Sequence, residues 1–390
     1  MNDLYKIVNE RGMCSLPWLH VEINFHNNTI QPCCKFKGNL GTIQTEFPVT
    51  WTGEQFNKLR KDMLNNVKVE NCVECEVPEG VFSYKKWKNR DYRELMSVDT
   101  QQPVLPKVFH FALKNTCNLA CRMCFPGSSS KLEQMVKKSD VLKKYFINNE
   151  QNNIIDVKKF KGSFYNAEYI TFSGGEPLID SDCLVLAKII KEESKKLKKI
   201  NFSTNMTKLN YELLEELSNI DAKIQFSVSI DGPPSINDYI RHKSDWNTIV
   251  ENLKYIRSHY PKFLLAINTT VSILNVGYII ESLTVFHELE KQLNIKFNHI
   301  MISPVVGRPF LQPGLLPVEI KNLYLEKLKN HTSSFSIPES KNLISTAIKL
   351  INDDPQSSLE EFYEYISEFD KLAGTDYKIV YPEFGALAKN

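Results

Sequence analysis

Six short runs of apolar and β-forming residues, spaced by longer helical patterns, leave this chain few folds to choose from. They are VFHFALK (108–114), EYITFS (168–173), KINFST (199–204), KIQFSVSI (223–230), FLLAINTTVS (263–272) and KFNHIMIS (296–303). Between them lie segments such as CLVLAKIIKEESKKLKK and NTIVENLKYIRSHY, which carry the periodicity of amphipathic helices. Strand–helix alternation implies parallel strands joined by right-handed crossovers. Six such units predict an α/β fold, a partial (β/α)6 TIM-like barrel rather than a closed eight-fold one. In such barrels chemistry sits at the C-terminal ends of the strands. The first crossover contains MVKKSDVLKKYFINNEQNNIIDVKKFKGSFYN, a Lys- and Asn-rich stretch that reads as a solvated helical insertion.

Around this core the chain divides further. Residues 1–76 hold five cysteines, and HVEINFHNNTIQPCC reads as a short hairpin about an Asn-Asn turn. Residues 77–106 form a polar connector closed by QQPVLP, whose prolines impose an extended boundary. The barrel is expected over 107–305, and 306–390 reads as a helical C-terminal extension without cysteine. A net charge of +2 gives no global attraction to nucleic acid or to anionic membrane. No apolar run approaches the roughly 20 residues that span a bilayer. The opening MNDLYKIVNERGMC lacks the apolar core of a signal peptide, so a soluble, cytoplasmic protein is expected.

Nine cysteines are present, eight of them in the first third of the chain. A chain of this length needs no disulfide staples, and clustered intracellular cysteines suggest metal. The segment NTCNLACRMCFPGSSSKLEQ directly follows the first barrel strand and spaces Cys117, Cys121 and Cys124 as C-x3-C-x2-C. Three thiolates on one tight loop can bind three irons of a cubane and leave the fourth iron open. A structural zinc would call for four protein ligands, usually as paired C-x2-C motifs. Ser130 and Glu133 read as a capping box opening the next helix.

This spacing, in this position, resembles the radical S-adenosylmethionine (SAM) superfamily over about residues 107–305. The resemblance implies a [4Fe-4S] cluster on Cys117, Cys121 and Cys124 whose open iron chelates SAM. Reductive cleavage would then yield methionine and a 5′-deoxyadenosyl radical that abstracts hydrogen from substrate. Met123 stands where many members have an aromatic residue. In FSGGEPL, the resemblance implies that Gly174, Gly175 and Glu176 contact the amino group of bound methionine. FSTN and SVSIDGP supply Ser203, Asn205, Ser229 and Asp231, a polar ring where the family binds ribose and methionine. DGPPSINDYIR resembles the matching segment of anaerobic sulfatase-maturating enzymes, with Asn237-Asp238 where His-Asp is common. It implies that Arg241 forks the SAM carboxylate. Asn268 falls near the adenine by the same resemblance.

The N-terminal cysteines have their own pattern, CSLPWLHVEINFHNNTIQPCCKFKGNLG followed by NCVEC. Cys14, Cys33, Cys72 and Cys75 can supply four ligands, enough for a closed cluster or for zinc. The pattern resembles the SPASM/twitch auxiliary cluster domain, here placed before the barrel and with Asn28 at the usual turn glycine. Cys34 rivals Cys33, and Cys183 reads as a buried helix thiol. Together the resemblances imply a second [4Fe-4S] cluster, an electron donor of flavodoxin or ferredoxin type, and a peptide or small-molecule substrate. Oxidative modification of a peptide or protein is the expected reaction. Dehydrogenation or epimerisation of a carbohydrate-type molecule is an alternative, and a non-catalytic iron–sulfur or zinc protein is another.

Overall fold

The computed structural model describes residues 3–75, 83–101, 104–146, 155–331 and 338–387. Parts of the connector (76–82 and 102–103) and the middle of the long insertion (147–154) lie outside the described residues. Ten strands occur among them: β1 (His20–Asn24), β2 (Thr29–Gln31), β3 (Val108–Ala112), β4 (Ala120–Cys121), β5 (Tyr169–Ser173), β6 (Lys199–Thr204), β7 (Lys223–Ser229), β8 (Arg241–His242), β9 (Leu264–Val271) and β10 (Ile300–Pro304). Two compact units are distinguished. The first comprises Met1–Lys114, Glu150–Phe202 and Asn210–Ile224, and the second Asn115–Asn149, Ser203–Leu209 and Gln225–Asn390.

In the first unit the strand order is β6-β5-β3-β1-β2. β3 runs parallel to β5, and β5 to β6, in the manner of barrel strands joined by helical crossovers. The N-terminal hairpin joins the same sheet, because β1 pairs parallel with β3, His20 opposite Val108 through Asn24 opposite Ala112. β2 folds back antiparallel on β1, and Asn28 occupies the left-handed region at φ 55° in the turn between them. Asparagine tolerates that conformation through local hydrogen bonding, and its Oδ1 here accepts the Ile43 amide at 2.8 Å.

The sheet of this unit alternates. Phe109, Phe111, Ile170, Phe172, Ile200 and Phe202 are essentially fully buried, whereas His110, Thr171, Ser173 and Asn201 between them are partly exposed. Phe111, Phe172 and Phe202 stand in register across three strands, with ring centroids 5.4 and 5.1 Å apart. This aromatic ladder fixes the register, since a one-residue slip would turn every phenylalanine to the polar face.

The second unit carries β7-β9-β10, all parallel, and the two-residue pair β4–β8. Its C-terminal part is helical, with Val318–His331, Pro338–Asn352 and Leu359–Ala373 as the longest helices. The α/β chain with parallel strands and a helical C-terminal region is consistent with the expected partial TIM-like fold.

Gly174 follows β5 at φ 106°, and a Cβ there would stand 2.5 Å from the Leu113 nitrogen and 2.6 Å from its oxygen. Both are backbone atoms, so nothing flexible can yield. Gly174→Ala should cost at least about 1–3 kcal/mol. Gly12→Ala, at φ 62° with no atom within 4 Å of the new Cβ, isolates the conformational part and should cost less. Thermal unfolding of the two variants checks the difference.

Candidate functional site

The cysteine loop is built in the second unit around β4. Cys121 pairs with Arg241 of β8, and Cys124 closes a turn by donating its amide to the Cys121 carbonyl at 3.1 Å. The helix Ser130–Lys137 begins one residue earlier than the capping box implies. Ser129 is the N-cap, its hydroxyl accepting the Leu132 amide at 3.0 Å. Only Ser130 carries the S-x-x-E pattern, yet Ser129, with extended backbone, takes the cap. Ser130 is thereby free for another task. It accepts the Cys117 amide at 3.4 Å and donates to the Cys117 carbonyl at 3.2 Å, tying the first cysteine to the helix start.

Polar groups converge on the thiols. Asn205 Nδ2 lies 3.9 Å from Cys117 Sγ, and its Oδ1 accepts from the Thr207 amide and hydroxyl at 2.9 and 2.6 Å. Arg241 Nη1 lies 3.9 Å from Cys121 Sγ, while its Nε meets Asp231 Oδ2 at 2.7 Å. Asp231 is fully buried and also accepts the Thr270 amide at 2.8 Å. Burial opposes charge on Arg241, but Asp231 and the neighbouring thiols outweigh it and hold the guanidinium ionised. Burial pushes the thiols of Cys121 and Cys124 above their ordinary range.

Ser203 is the penultimate residue of β6, and Ser229 ends β7 in register with Asn268 of β9. The Asn268 Oδ1 is buried without a hydrogen-bond partner, an acceptor left for a ligand donor. In the first unit, the Gly174–Glu176 loop is stitched to the end of β3. The Leu113 amide donates to the Ser173 carbonyl at 2.8 Å, and Gly175 to that of Lys114 at 3.1 Å. Glu176 is 1% exposed, and its Oε1 accepts the Leu178 amide at 3.1 Å. The missing Cβ of Gly174 thus serves close approach to the chain itself.

Sequence reasoning missed the clamp on this loop. Arg122, between the second and third cysteines, is fully buried. Its guanidinium bonds Asp370 and the Tyr239 carbonyl, reaches Thr375 Oγ1 at 2.7 Å, and lies 3.6 Å over the Tyr239 ring. Its own carbonyl accepts the Tyr365 hydroxyl at 2.6 Å. Tyr365 and Asp370 lie on the C-terminal helix Leu359–Ala373. Arg308 adds a bond to the Cys124 carbonyl at 2.9 Å. A charged residue inside a tight cysteine loop was the signal available, but its partner stands 248 positions away.

The N-terminal cysteines gather in the first unit. Cys14, Cys33, Cys72 and Cys75 line one cavity of about 360 Å³. Cys34 is exposed and does not line it. Arg11, Lys35, Lys68 and Lys85 supply the cavity's charged lining, which among the described residues includes no carboxylate. Burial, reinforced by Cys72 and Cys75, pushes Cys14 up to about 12. Burial raises Cys33 as well. Cys183 is a fully buried thiol of the helix Ser181–Glu193.

Among the described residues no three Cys, His, Asp or Glu side chains are gathered as the ligands of a single ion would be. A cluster asks for a wider arrangement, because each thiolate binds a different iron. The donor set of soft sulfurs, with cations and amide donors turned towards them, fits such a group at both places. No helix among the described residues is long and apolar enough to cross a membrane.

Two measurements follow from this geometry. Asp370→Ala leaves a buried guanidinium uncompensated and should cost about 3–5 kcal/mol. Iron retained after reconstitution should fall with it, and Asp370→Asn should be milder in both. For Cys14, the folded pKa of about 12 exceeds the ordinary 9.0, so the metal-free fold holds this proton more tightly than the unfolded chain. That stability is complete below about 9 and is lost as pH rises towards 12. Denaturant titrations of metal-free protein should decline more steeply across this range than those of Cys14→Ala.

No curated protein matches the chain. Among solved structures, it is similar to Streptococcus suis SuiB bound to S-adenosylmethionine, at 13% identity and TM-score 0.36, covering 72% of this chain and 58% of that one. It is similar to native anSMEcpe with bound AdoMet at 18% identity and TM-score 0.38, covering 58% and 59% respectively. It is also similar to TYW1 with a lysine-pyruvate adduct, at 15% identity and TM-score 0.36, covering 74% and 93%. The chain therefore spans less than two thirds of the length of the first two. Residues 113–282, which hold Cys117, Cys121, Cys124 and the Gly174–Glu176 loop, match the Radical SAM superfamily, and the chain thus carries a radical SAM superfamily domain.

Proposed function

We propose that this protein is a two-cluster radical SAM enzyme that oxidatively modifies a peptide or protein substrate. The observation that carries the reading is the Cys117, Cys121, Cys124 loop. It lies within the matched residues, carries three cysteines with no fourth nearby, and has Asn205 and Arg241 turned towards its sulfurs. A cluster held there would supply the electron that cleaves SAM to methionine and a 5′-deoxyadenosyl radical.

The chain's own residues have distinct work in this reading. Arg241 stays charged beside the loop and offers its remaining nitrogen to the SAM carboxylate, while Asp231 holds the guanidinium in place. Glu176 would accept from the methionine amino group. Ser203, Ser229 and Asn268 would meet the ribose and base, a role supported by the unpartnered Asn268 Oδ1. Burial of Cys121 and Cys124 means that cluster assembly must release protons from this loop.

The second cluster is supported by the cavity that Cys14, Cys33, Cys72 and Cys75 share. Four thiolates around four irons leave a net negative charge, which Arg11, Lys35, Lys68 and Lys85 offset. In this role it would take up the electron left on an oxidised substrate. The peptide class rests on the resemblance of residues 231–241 to sulfatase-maturating enzymes. An electron donor of flavodoxin or ferredoxin type and a cytoplasmic location complete the reading.

Anaerobically reconstituted protein should hold about eight irons, two four-iron clusters. Replacing Cys117, Cys121 and Cys124 together by Ala should halve the iron and abolish dithionite-driven release of 5′-deoxyadenosine. Cys72→Ala with Cys75→Ala should also halve the iron but spare that release. Zinc in place of iron at the N-terminal site would overturn the oxidative role. Deuterium passing from a labelled peptide into 5′-deoxyadenosine tests the substrate class, and its transfer only from a labelled sugar would overturn it.

A further inference from the structure

The polar face of the first unit's sheet carries a row of three polar groups in contact that none of the roles above uses. Glu22 of β1 and His110 of β3 are direct cross-strand partners, with Glu22 Oε2 3.3 Å from His110 Nδ1. On the other side of the ring, His110 Nε2 lies 2.7 Å from the Ser173 hydroxyl of β5. The order is carboxylate, imidazole, hydroxyl across three parallel strands. Ser173 is the last residue of its strand and precedes Gly174.

The surroundings argue for chemistry rather than for packing. Glu22 is 7% exposed, yet the His110 side chain keeps 27% of its surface and Ser173 is partly exposed. A buried anion thus orients a ring that is open to solvent. Burial alone would raise the Glu22 carboxyl, but its contact with His110 outweighs that and holds Glu22 below its ordinary range. An ionised carboxylate only accepts, so Nδ1 carries the proton and Nε2 is left as a base that accepts from Ser173. The neighbouring His20 of β1 has no such anion in contact. Its Nδ1 donates to the Pro32 carbonyl at 2.9 Å, and burial holds the ring neutral, down to about 4. The other titratable groups facing this set among the described residues are Cys34, which senses Glu22, Lys88, which senses His20, and Tyr92, whose ring stacks on His20 at 6.2 Å.

We propose that Glu22, His110 and Ser173 form an acid–base relay that takes a proton from a substrate hydroxyl or thiol docked on this face of the sheet. The substrate O–H or S–H proton passes to the Ser173 oxygen as the Ser173 proton passes to His110 Nε2. The electron pair stays on the substrate, and the imidazolium so formed is held by Glu22. No oxidant enters the step, and the return of the proton reverses it. The relay rests on the sheet geometry of the first unit and does not require the radical reading.

Diethyl pyrocarbonate acylates neutral, reachable imidazole, and peptide mapping of the full-length protein reports each histidine separately. His110 should be modified. Glu22→Gln should change its rate of modification severalfold at a fixed pH, because the ring loses the carboxylate that orients it. Ser173→Ala should speed modification severalfold, because Nε2 loses its partner. A His110 that resists reagent while exposed His331 reacts, or a rate indifferent to Glu22→Gln, would overturn the relay. The wild-type profile stands even if a variant does not fold. It is read on metal-free and reconstituted protein alike, so its failure is separate from any failure of iron loading.

Discussion

The cysteine loop depends on a buried guanidinium. Moving Arg122 out of water costs several kcal/mol, and that penalty is recovered only if every face of the ion finds a partner. Here Asp370, Thr375 and the Tyr239 carbonyl take donors of its two terminal nitrogens, Nε is left buried without a hydrogen-bond partner, and the rings of Tyr239 and Phe369 cover its plane at 3.6 and 4.6 Å. Asp370 in turn accepts the Tyr377 amide at 2.6 Å and the Tyr239 hydroxyl at 3.0 Å. The conformation of a short loop is thus tied to the C-terminal helix Leu359–Ala373. The C-terminal helices, which contain no cysteine, therefore belong to the architecture of the site.

The electrostatics of the two cysteine groups follow a common rule with different local means. Burial keeps thiols protonated, so a metal must displace protons that the fold itself retains. At Cys117 and Cys121 the compensating groups are a side-chain amide and a paired guanidinium, each 3.9 Å from sulfur. At the N-terminal cavity the compensation is diffuse, from lysines and an arginine around the lining. Hydrogen bonds and charge near sulfur are the terms that tune an iron–sulfur group, so such groups held at the two places would be tuned by different means.

Much of this was legible in the amino-acid order. The six barrel runs correspond to β3, β5, β6, β7, β9 and β10, because each alternates or clusters apolar residues over a strand's length. The hairpin of residues 20–31 was legible through its asparagines. Other features were not. The parallel pairing of β1 with β3 joins segments some 88 positions apart, and nothing local marks a strand's partner. Arg122 and Asp370 are farther apart still. The helix cap was missed by one residue because Ser129 and Ser130 are chemically equal, and only backbone geometry separates them. Gly174 signals a close approach, but sequence does not say whether ligand or neighbouring strand is the thing approached.

Parallel sheets usually bury both faces and read as continuous apolar runs. β3, β5 and β6 instead alternate, with phenylalanine and isoleucine on one face and His110, Thr171, Ser173 and Asn201 on the other. Packing alone gives no reason to retain such groups, since a partly covered polar face forgoes the burial that apolar residues would supply. The N-terminal strand extends that face with His20 and Glu22, the latter directly opposite His110. The added strand continues this polar surface, while the opposite surface is closed by stacked aromatics. The pairing of β1 with β3 is thus what brings the cysteine-bearing N-terminal segment and the polar face of the sheet into one unit.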